Sequence, residues 1–372
     1  MRIAQMIDTV SIGGTQKMQI ILAEAMRDRG IELSLISLTE NKYHTALPDT
    51  LAALGVDVHF FPAKNLLAVS RLQQIARFLR EGKYDLVHAN LTYANIVGTI
   101  TGRMAGIPTI ASFRSIKIDR NPIKARLEAF LLRHFTTRLM AVGQSTADAH
   151  QHRVGNKPIA AIPNAVTLIP PLPAERRQTL RASLVGGANR PILIAVGRLI
   201  PQKGFDDLLT AFASVRQQHP DAALLIAGTG NLHDELAAQI SRLDLANHAW
   251  LLGPRNDVPD LLAASDIFVS SSHWEGLSNA LLEAMAAGLP IVATNNSDTP
   301  RVVVEGTGLL VPAKEPTQLA NALRTLLDNP EQRCALGQAA REHMADAYSL
   351  DRWAAQMLAL WESALNGRKE PA

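Results

Sequence analysis

Short apolar runs alternate with longer stretches of helical periodicity along most of this 372-residue chain, and that alternation limits its fold more than any other feature. The first run covers residues 3–7, and apolar residues then recur at helical spacing as far as Met26. Further strands are predicted at 33–37, 58–61, 86–89, 109–112, 138–142 and 160–162. Such alternation is typical of an α/β fold built from βαβ units, with helices on both faces of a parallel sheet.

The alternation pauses at residues 163–177, where four prolines precede a charged stretch. A second series then begins at 191–196 and ends in helices only, the last of them near 350. We therefore predict two Rossmann-like domains, residues 1–168 and 169–349, and a C-terminal helix at 350–368. Parallel sheets bind ligands at the carboxyl ends of their strands, so a cleft between the two domains is the expected site.

Composition excludes several classes of protein. Hydrophobic residues make up 47% of the chain and charged residues 19%. This composition is sufficient to form hydrophobic cores and excludes a largely disordered chain. The single cysteine, Cys334, cannot form an intrachain disulfide and suits a reducing compartment. The sequence shows neither a signal-peptide core nor the ~18 apolar residues of a membrane span, which predicts a soluble cytoplasmic protein.

The net charge of +3 hides an asymmetry between the two halves. Residues 1–168 contain 20 Lys and Arg against 12 Asp and Glu, whereas residues 169–372 contain 17 against 22. A basic half beside an acidic half predicts an anionic partner for the first half, either a membrane face or a nucleic acid. Chance variation in surface charge is the alternative.

Common signatures of catalytic and metal sites are missing. The chain has no G-x-x-x-x-G-K-[ST], no G-x-G-x-x-G after its first strand and no G-x-S-x-G. It also has no C-x-x-C and no H-E-x-x-H, so the spacing of metal ligands is absent and neither a metal nor a cofactor is expected.

Two cations lie in the loop after the first strand of the second series. That strand ends at Gly197, and Arg198 and Lys203 then precede a helix whose first turn contains Asp206 and Asp207. Arginine grips phosphate oxygens bidentately and lysine acts as a point charge, so the pair suits a diphosphate. An ordinary solvated loop with surface cations is the alternative.

A second polar set follows the predicted strand at 267–270. Glu275 and Glu283 are eight residues apart, and a helix begins between them. Ser278 or Asn279 can cap that helix, whose first amides suit a phosphate. Each carboxylate can accept paired hydrogen bonds from vicinal hydroxyls, which indicates a hydroxyl-rich ligand. The alternative makes Glu275 a loop residue and Glu283 a surface residue.

Together these two sets resemble the motifs of glycosyltransferase family 4, the glycosyl transferases of group 1. In the first half, Gly13-Gly14 and the run Val87-His88-Ala89-Asn90 are similar to family motifs as well. The resemblance implies the GT-B fold, with two Rossmann-like domains facing across a cleft and the last helix crossing back onto the first domain. It also implies retaining transfer from nucleotide-diphosphate sugars.

The resemblance implies a role for each matched residue. Arg198 and Lys203 would hold the donor diphosphate, Glu275 would bind the transferred sugar, and Glu283 would bind the ribose. Further donor contacts are implied at Gly13, Gly14, Gly197, Gly276, Leu277, Ser278 and Asn279. No metal would be needed, because two cations and a helix terminus can stabilise a leaving diphosphate.

Three residues of the first half complete the predicted site. His88 joins Arg198, Lys203 and Glu275 in the predicted catalytic set, because it lies near the carboxyl end of a parallel strand. A structural role for His88 is the alternative. Arg114 stands where members of the family often have a histidine. Arg114 could contact the donor or an acidic acceptor, and it is assigned to the acceptor together with Asn90.

A basic stretch at 114–138 contains seven Lys and Arg against Asp119 and Glu128. Its apolar residues follow helical spacing at Ile123, Leu127, Phe130 and Leu131, with His134 on the same stripe. This predicts an amphipathic helix that docks on an anionic membrane face. The alternative is that the stripe packs on the sheet. Nucleic acid is disfavoured, because aromatic residues make up only 5% of the chain.

We therefore predict a retaining glycosyltransferase that uses a nucleotide-diphosphate sugar and a lipid-linked saccharide acceptor. Its predicted place is surface-polysaccharide or lipopolysaccharide assembly, in the cytoplasm or on the inner face of the cytoplasmic membrane. Two alternatives stay open. One is a nucleotide-sugar epimerase of the same fold, which would need no acceptor. The other is a non-catalytic protein that binds nucleotide sugars without turnover.

Overall fold

The computed structural model describes residues 1–10, 13–41, 45–118 and 121–367, and these form two α/β units. Unit 1 comprises residues 1–165 with the C-terminal helix, and unit 2 spans Val166–Ser349. This division lies close to the predicted boundary between residues 168 and 169. Every strand pair is parallel, which confirms the predicted Rossmann-like domains.

A seven-stranded sheet forms the centre of unit 1. Its strands are β1 (Arg2–Ile7), β2 (Glu32–Ser37), β3 (Asp57–Phe60), β4 (Leu86–Asn90), β5 (Thr109–Phe113), β6 (Arg138–Ala141) and β7 (Ile159–Ala161). The helices between them are α1 (Gly14–Met26), α2 (Leu47–Ala53), α3 (Val69–Glu81), α4 (Thr92–Ala105), α5 (Pro122–Phe135) and α6 (Gln144–Val154). The strand order is β3-β2-β1-β4-β5-β6-β7, so the winding reverses between β1 and β4.

A six-stranded sheet forms the centre of unit 2. Its strands are β8 (Ile192–Val196), β9 (Ala223–Ala227), β10 (Ala249–Leu251), β11 (Ile267–Ser270), β12 (Ile291–Thr294) and β13 (Gly308–Val311). Its helices are α7 (Ala174–Val185), α8 (Phe205–Val215), α9 (His233–Arg242), α10 (Val258–Ala264), α11 (Asn279–Ala286), α12 (Thr299–Val302), α13 (Pro316–Asp328) and α14 (Pro330–Ala347). The order β10-β9-β8-β11-β12-β13 reverses between β8 and β11.

Both faces of each sheet are covered, which explains why continuous apolar runs predicted the strands. Every residue of β4, β5 and β9 is buried. Along β8, Leu193 and Ala195 belong to one hydrophobic cluster of unit 2, and Ile192 and Ile194 belong to the other. Among the described residues, no helix has both the length and the apolar character of a membrane span.

The C-terminal helix α15 (Leu350–Asn366) belongs to unit 1. It buries Trp353 and Trp361 in the hydrophobic cluster that includes β1. Trp361 Nε1 also donates a hydrogen bond to His88 Nδ1 on β4, at 3.1 Å. These contacts confirm the predicted return of the last helix to the first domain. The predicted helix ended at Arg368, which lies outside the described residues.

Replacing Trp361 by Phe tests the hydrogen bond that joins α15 to β4. The variant takes the indole donor away from the buried Nδ1 of His88, which should lower the free energy of unfolding by about 1–3 kcal/mol. Urea denaturation measures this loss. The matched control is Trp353→Phe, because Trp353 is equally buried on the same helix and its Nε1 has no hydrogen-bond partner in the described part of the chain. An equal loss for both variants would contradict the assignment.

Candidate functional site

Most of the predicted donor residues lie on or directly after two loops at the carboxyl edge of the sheet of unit 2. The first loop follows β8, passes through the 3-10 turn Pro201–Lys203 and leads into α8. The second follows β11 and leads into α11. Because β8 and β11 are neighbours where the winding reverses, both loops leave the sheet at its crevice. The fold therefore brings together two motifs that are 72 residues apart at their closest contact.

An ion pair between Lys203 and Glu275 joins these two loops. The side chain of Lys203 is 14% exposed and that of Glu275 is 9% exposed. Ser272 Oγ donates to Glu275 Oε1, the oxygen that Lys203 contacts, at 2.8 Å. Gln202 Nε2 donates to Oε2 at 3.0 Å. Both carboxylate oxygens therefore have donors, and charge-assisted bonds of this kind hold the side chains in one geometry.

Close approach of the backbone at two glycines positions the loop after β8. Gly204 has a φ of +58°, and a Cβ there would lie 2.3 Å from the carbonyl oxygen of Ser271. Gly228, directly after β9, has a φ of +148°, and its Cβ would lie 1.8 Å from the carbonyl oxygen of Gly197. Only glycine fits at either position without displacing the neighbouring chain. The loop after β8 therefore packs closely against the loops after β9 and β11.

Arg198 differs from Lys203 in its surroundings. Its side chain is exposed and makes no hydrogen bond or ion pair with any residue that the structure describes. Lys203 is paired and largely buried, and its carbon chain lies over Gly197, where a Cβ would come within 2.9 Å of Lys203 Cε. Arg198 can therefore contact a ligand directly, whereas Lys203 can do so only by exchanging Glu275 for that ligand.

The residues after Glu275 form the entry to α11. Ser278 is the N-cap, as predicted, and its side chain does not bond to the first helical amides. Gly276 and Ser278 are buried, whereas Asn279 begins the helix partly exposed. Glu283 lies on the second turn of α11, partly exposed and with polar interactions of its own. An uncapped helix terminus beside the ion pair is the arrangement in which backbone amides bind anions.

Three possible metal ligands come together beside this site, although no sequence spacing predicted them. Ligand atoms of Asp206, Asp207 and His273 lie within 4.8 Å of one another. His273 Nε2 is 2.8 Å from Asp207 Oδ2, and this contact accounts for the cluster. Both acids also lie in the first turn of α8, where the helix dipole favours negative charge.

The predicted residues of unit 1 other than His88 are also at or beyond carboxyl ends of strands. Gly13 and Gly14 follow β1 and begin α1, exposed to solvent. Asn90 ends β4, and its Oδ1 accepts from Nε of Arg114 at 3.1 Å and from Nη2 at 2.5 Å. Arg114 Nη1 donates to Asn164 Oδ1, after β7, at 3.0 Å. The two predicted acceptor residues are therefore in direct contact.

His88 requires a correction to the predicted catalytic set. It lies in the middle of β4, fully buried, and its Nε2 is 2.6 Å from Ser112 Oγ. Its Nδ1 accepts from Trp361, since an indole nitrogen can only donate. Burial, and secondly the charge of Arg114, lower the pKa of His88 to about 3, so the ring is neutral at neutral pH. These contacts give His88 a structural role in joining β4, β5 and α15.

Two residues that hold Glu275 were missed by the sequence reasoning. Gln202 and Ser272 both donate to its carboxylate, but neither side chain carries charge and neither stood out in a motif. Their positions offered a signal, since Gln202 precedes Lys203 and Ser272 lies three residues before Glu275. Asn164, whose Oδ1 accepts a hydrogen bond from Arg114, was also not assigned a role.

The basic stretch of unit 1 exposes much of its apolar stripe. Ile123 is 77% exposed and Phe130 is 55% exposed, seven residues apart on one face of α5. The alternative that the stripe packs on the sheet is wrong for these two residues, whereas Leu131 is buried. Asp119 and Arg120 of the predicted stretch lie outside the described residues.

Comparison with known proteins places both units in one family. The model described as Glycosyltransferase Family 4 matches residues 12–168, and the model described as Glycosyl transferases group 1 matches residues 176–343. An Escherichia coli protein named UDP-Gal:alpha-D-GlcNAc-diphosphoundecaprenol alpha-1,3-galactosyltransferase is 29% identical, over 86% of this chain and 86% of the relative. A Kineococcus radiotolerans protein named D-inositol 3-phosphate glycosyltransferase is 28% identical, over 88% and 86%.

Solved structures agree on the fold. Anabaena Alr3699/HepE, in a crystal structure described as a complex with UDP, matches 98% of this chain and 100% of its own with a TM-score of 0.86, at 24% identity. Two parallel sheets, the two motif loops of unit 2 and the matches to both halves lead to the same assignment. This chain belongs to glycosyltransferase family 4, and it is a glycosyltransferase of the GT-B fold.

Proposed function

We propose that this enzyme transfers a sugar, with retention of configuration, from a nucleotide-diphosphate sugar to a lipid-linked saccharide. The proposed setting is the assembly of a cell-surface polysaccharide or lipopolysaccharide. The observation that carries the proposal is the arrangement of Arg198, Lys203 and Glu275 at the ends of adjacent strands. Two cations suit a diphosphate, and a carboxylate suits sugar hydroxyls. The name of the E. coli relative, with its diphosphoundecaprenol acceptor, supports the lipid link.

Donor binding would change the partners of Lys203 and Glu275 on the two loops. Glu275 neutralises Lys203 in the present arrangement. A diphosphate held by Arg198 competes for the Lys203 ammonium and so releases the Glu275 carboxylate to accept hydrogen bonds from sugar hydroxyls. The backbone at 276–279 adds amide donors at the start of α11. Glu283, further along that helix, is the proposed partner of the ribose hydroxyls.

In the proposed reaction, the bond between the anomeric carbon and the diphosphate oxygen breaks. The acceptor hydroxyl oxygen bonds to the same face of that carbon, and its proton passes to the departing diphosphate. Arg198 and Lys203 stabilise the negative charge that grows on the leaving group. We also propose that transfer needs no metal ion, because these two cations and the terminus of α11 supply the positive charge.

Arg198→Ala and Lys203→Ala should each lower turnover by more than about tenfold, since each removes a charge that matters most as the diphosphate leaves. The measurement is sugar transfer from a labelled nucleotide sugar to a diphosphate-linked saccharide. Arg242→Ala, which removes an exposed arginine at the end of α9, is the control and should leave turnover unchanged.

Near-wild-type turnover in either loop variant would contradict the assignment. The same assay is run with EDTA, which should not inhibit. Activity that is lost with EDTA and restored by Mg²⁺ or Mn²⁺ would show that a metal carries the charge instead.

We further propose that unit 1 docks on an anionic membrane face through α5. Its solvent face combines the exposed Ile123 and Phe130 with Arg126 and Arg133, which are exposed as well. Apolar side chains flanked by cations are typical of helices that lie in a membrane interface. Each basic residue near an anionic surface contributes about 1 kcal/mol.

The double variant Arg126→Glu/Arg133→Glu should reduce co-sedimentation with vesicles of anionic lipid by at least about tenfold at low salt. Its matched control is Arg77→Glu/Arg80→Glu, the same charge change at two exposed positions of α3. Salt should release the wild-type protein, because exposed charges are screened. Equal binding to neutral and anionic vesicles, or equal loss in the control, would remove the membrane part of the proposal.

A further inference from the structure

Arg114 is held by the ends of three different strands of unit 1. It follows β5, and its guanidinium donates to Asn90 at the end of β4 and to Asn164 after β7. Asn90 is fully buried and Asn164 is 5% exposed, so both acceptors are fixed. The guanidinium therefore has one defined orientation at the carboxyl edge of the sheet, where α/β folds bind ligands.

The hydrogen-bond partners of this cation are neutral amides. Asn90 Nδ2 donates to Gln5, whose amide lies beside the neutral ring of His88. Among the described residues, no carboxylate lies within ion-pair distance of Arg114. Arg114 lines a small pocket together with Glu128, and Glu128 is itself buried and paired with Arg153 at 2.7 Å. A largely buried guanidinium whose hydrogen-bond partners are all neutral is costly unless an anion joins it.

The guanidinium also keeps donors for such an anion. An arginine has five N–H groups, and the hydrogen bonds to Asn90 and Asn164 use three of them. One N–H remains on Nη1 and one on Nη2, and each can donate to a phosphate oxygen. Burial lowers the pKa of Arg114 to about 10, which still leaves it protonated at neutral pH.

We propose that Arg114 is the centre of an anion subsite that binds a phosphate of the lipid-linked acceptor. The inference rests on the proposed function, in which the donor diphosphate already has Arg198 and Lys203 on unit 2. The remaining phosphates of that reaction are those that join the acceptor sugar to its lipid. The chain from Arg114 also reaches the exposed Ile118 within four residues, on the way to the α5 face proposed to meet the membrane.

Equilibrium binding of two soluble probes to the full-length chain tests this subsite. One probe is GlcNAc diphosphate esterified with a short alkyl chain, and the other is the alkyl GlcNAc glycoside without phosphate. Arg114→Gln should weaken binding of the first by about tenfold or more and leave the second unchanged. Arg114→Lys should recover part of the loss, because it restores the charge without the bidentate fork. Arg80→Gln on α3 is the matched control.

The difference between the two probes separates ligand binding from a structural role. Destabilisation by Arg114→Gln would weaken both probes equally, and that outcome overturns the proposal. An unchanged affinity for the diphosphate probe, or no diphosphate-dependent binding by the wild type, overturns it as well. Because no transfer is measured, the result is independent of the proposed reaction. A chain that binds the probe through Arg114 but transfers no sugar to it would keep the subsite and lose the proposed acceptor.

Discussion

The ion pair between Lys203 and Glu275 holds together the two loops that contain most of the predicted donor residues. It joins the loops after β8 and β11, the two strands between which the winding of the sheet reverses. The first of these loops also packs closely against Gly228, which follows β9. A cation and a carboxylate are thus held side by side before any ligand arrives, each as the other's counter-charge.

The buried cations of the two units differ in the charge of their partners. In unit 2, Lys203 has a carboxylate partner, which the proposed function has a diphosphate replace. In unit 1, Arg114 has only the amide oxygens of Asn90 and Asn164. Lys203 would bind an anion by exchanging its carboxylate partner. Arg114 would bind an anion that neutralises its charge. Both kinds of binding suit a reaction in which both substrates contain phosphates.

Much of the fold could be predicted from the sequence, because buried parallel strands leave continuous apolar runs. The strands follow from local patterns, and so does a helix start at Ser278 or Asn279, of which Ser278 is the N-cap. The return of α15 was implied by the family resemblance instead. The order of strand, loop and helix at the two predicted donor motifs was also predictable. What local patterns could not supply was contact between distant segments.

His88 illustrates this limit. Its position on a strand suggested an exposed edge, but α15 covers it with Trp361, 273 residues later. The three possible metal ligands Asp206, Asp207 and His273 could likewise not be predicted from their spacing in the sequence, because the histidine comes from another loop. The exposure of Ile123 also depends on which face of α5 meets unit 1, and the periodicity of a helix does not specify that.

Calorimetric titration of Glu275→Gln tests whether Glu275 holds the Lys203 ammonium until a diphosphate takes its place. The variant keeps the shape of the side chain but removes the charge that neutralises Lys203. A nucleoside diphosphate, UDP or GDP, should then bind at least as tightly as it binds the wild type, since the ammonium no longer has to leave a carboxylate. The extra affinity of the matching nucleotide sugar should disappear. Weaker binding of the nucleoside diphosphate, with the contribution of the sugar intact, would contradict the account.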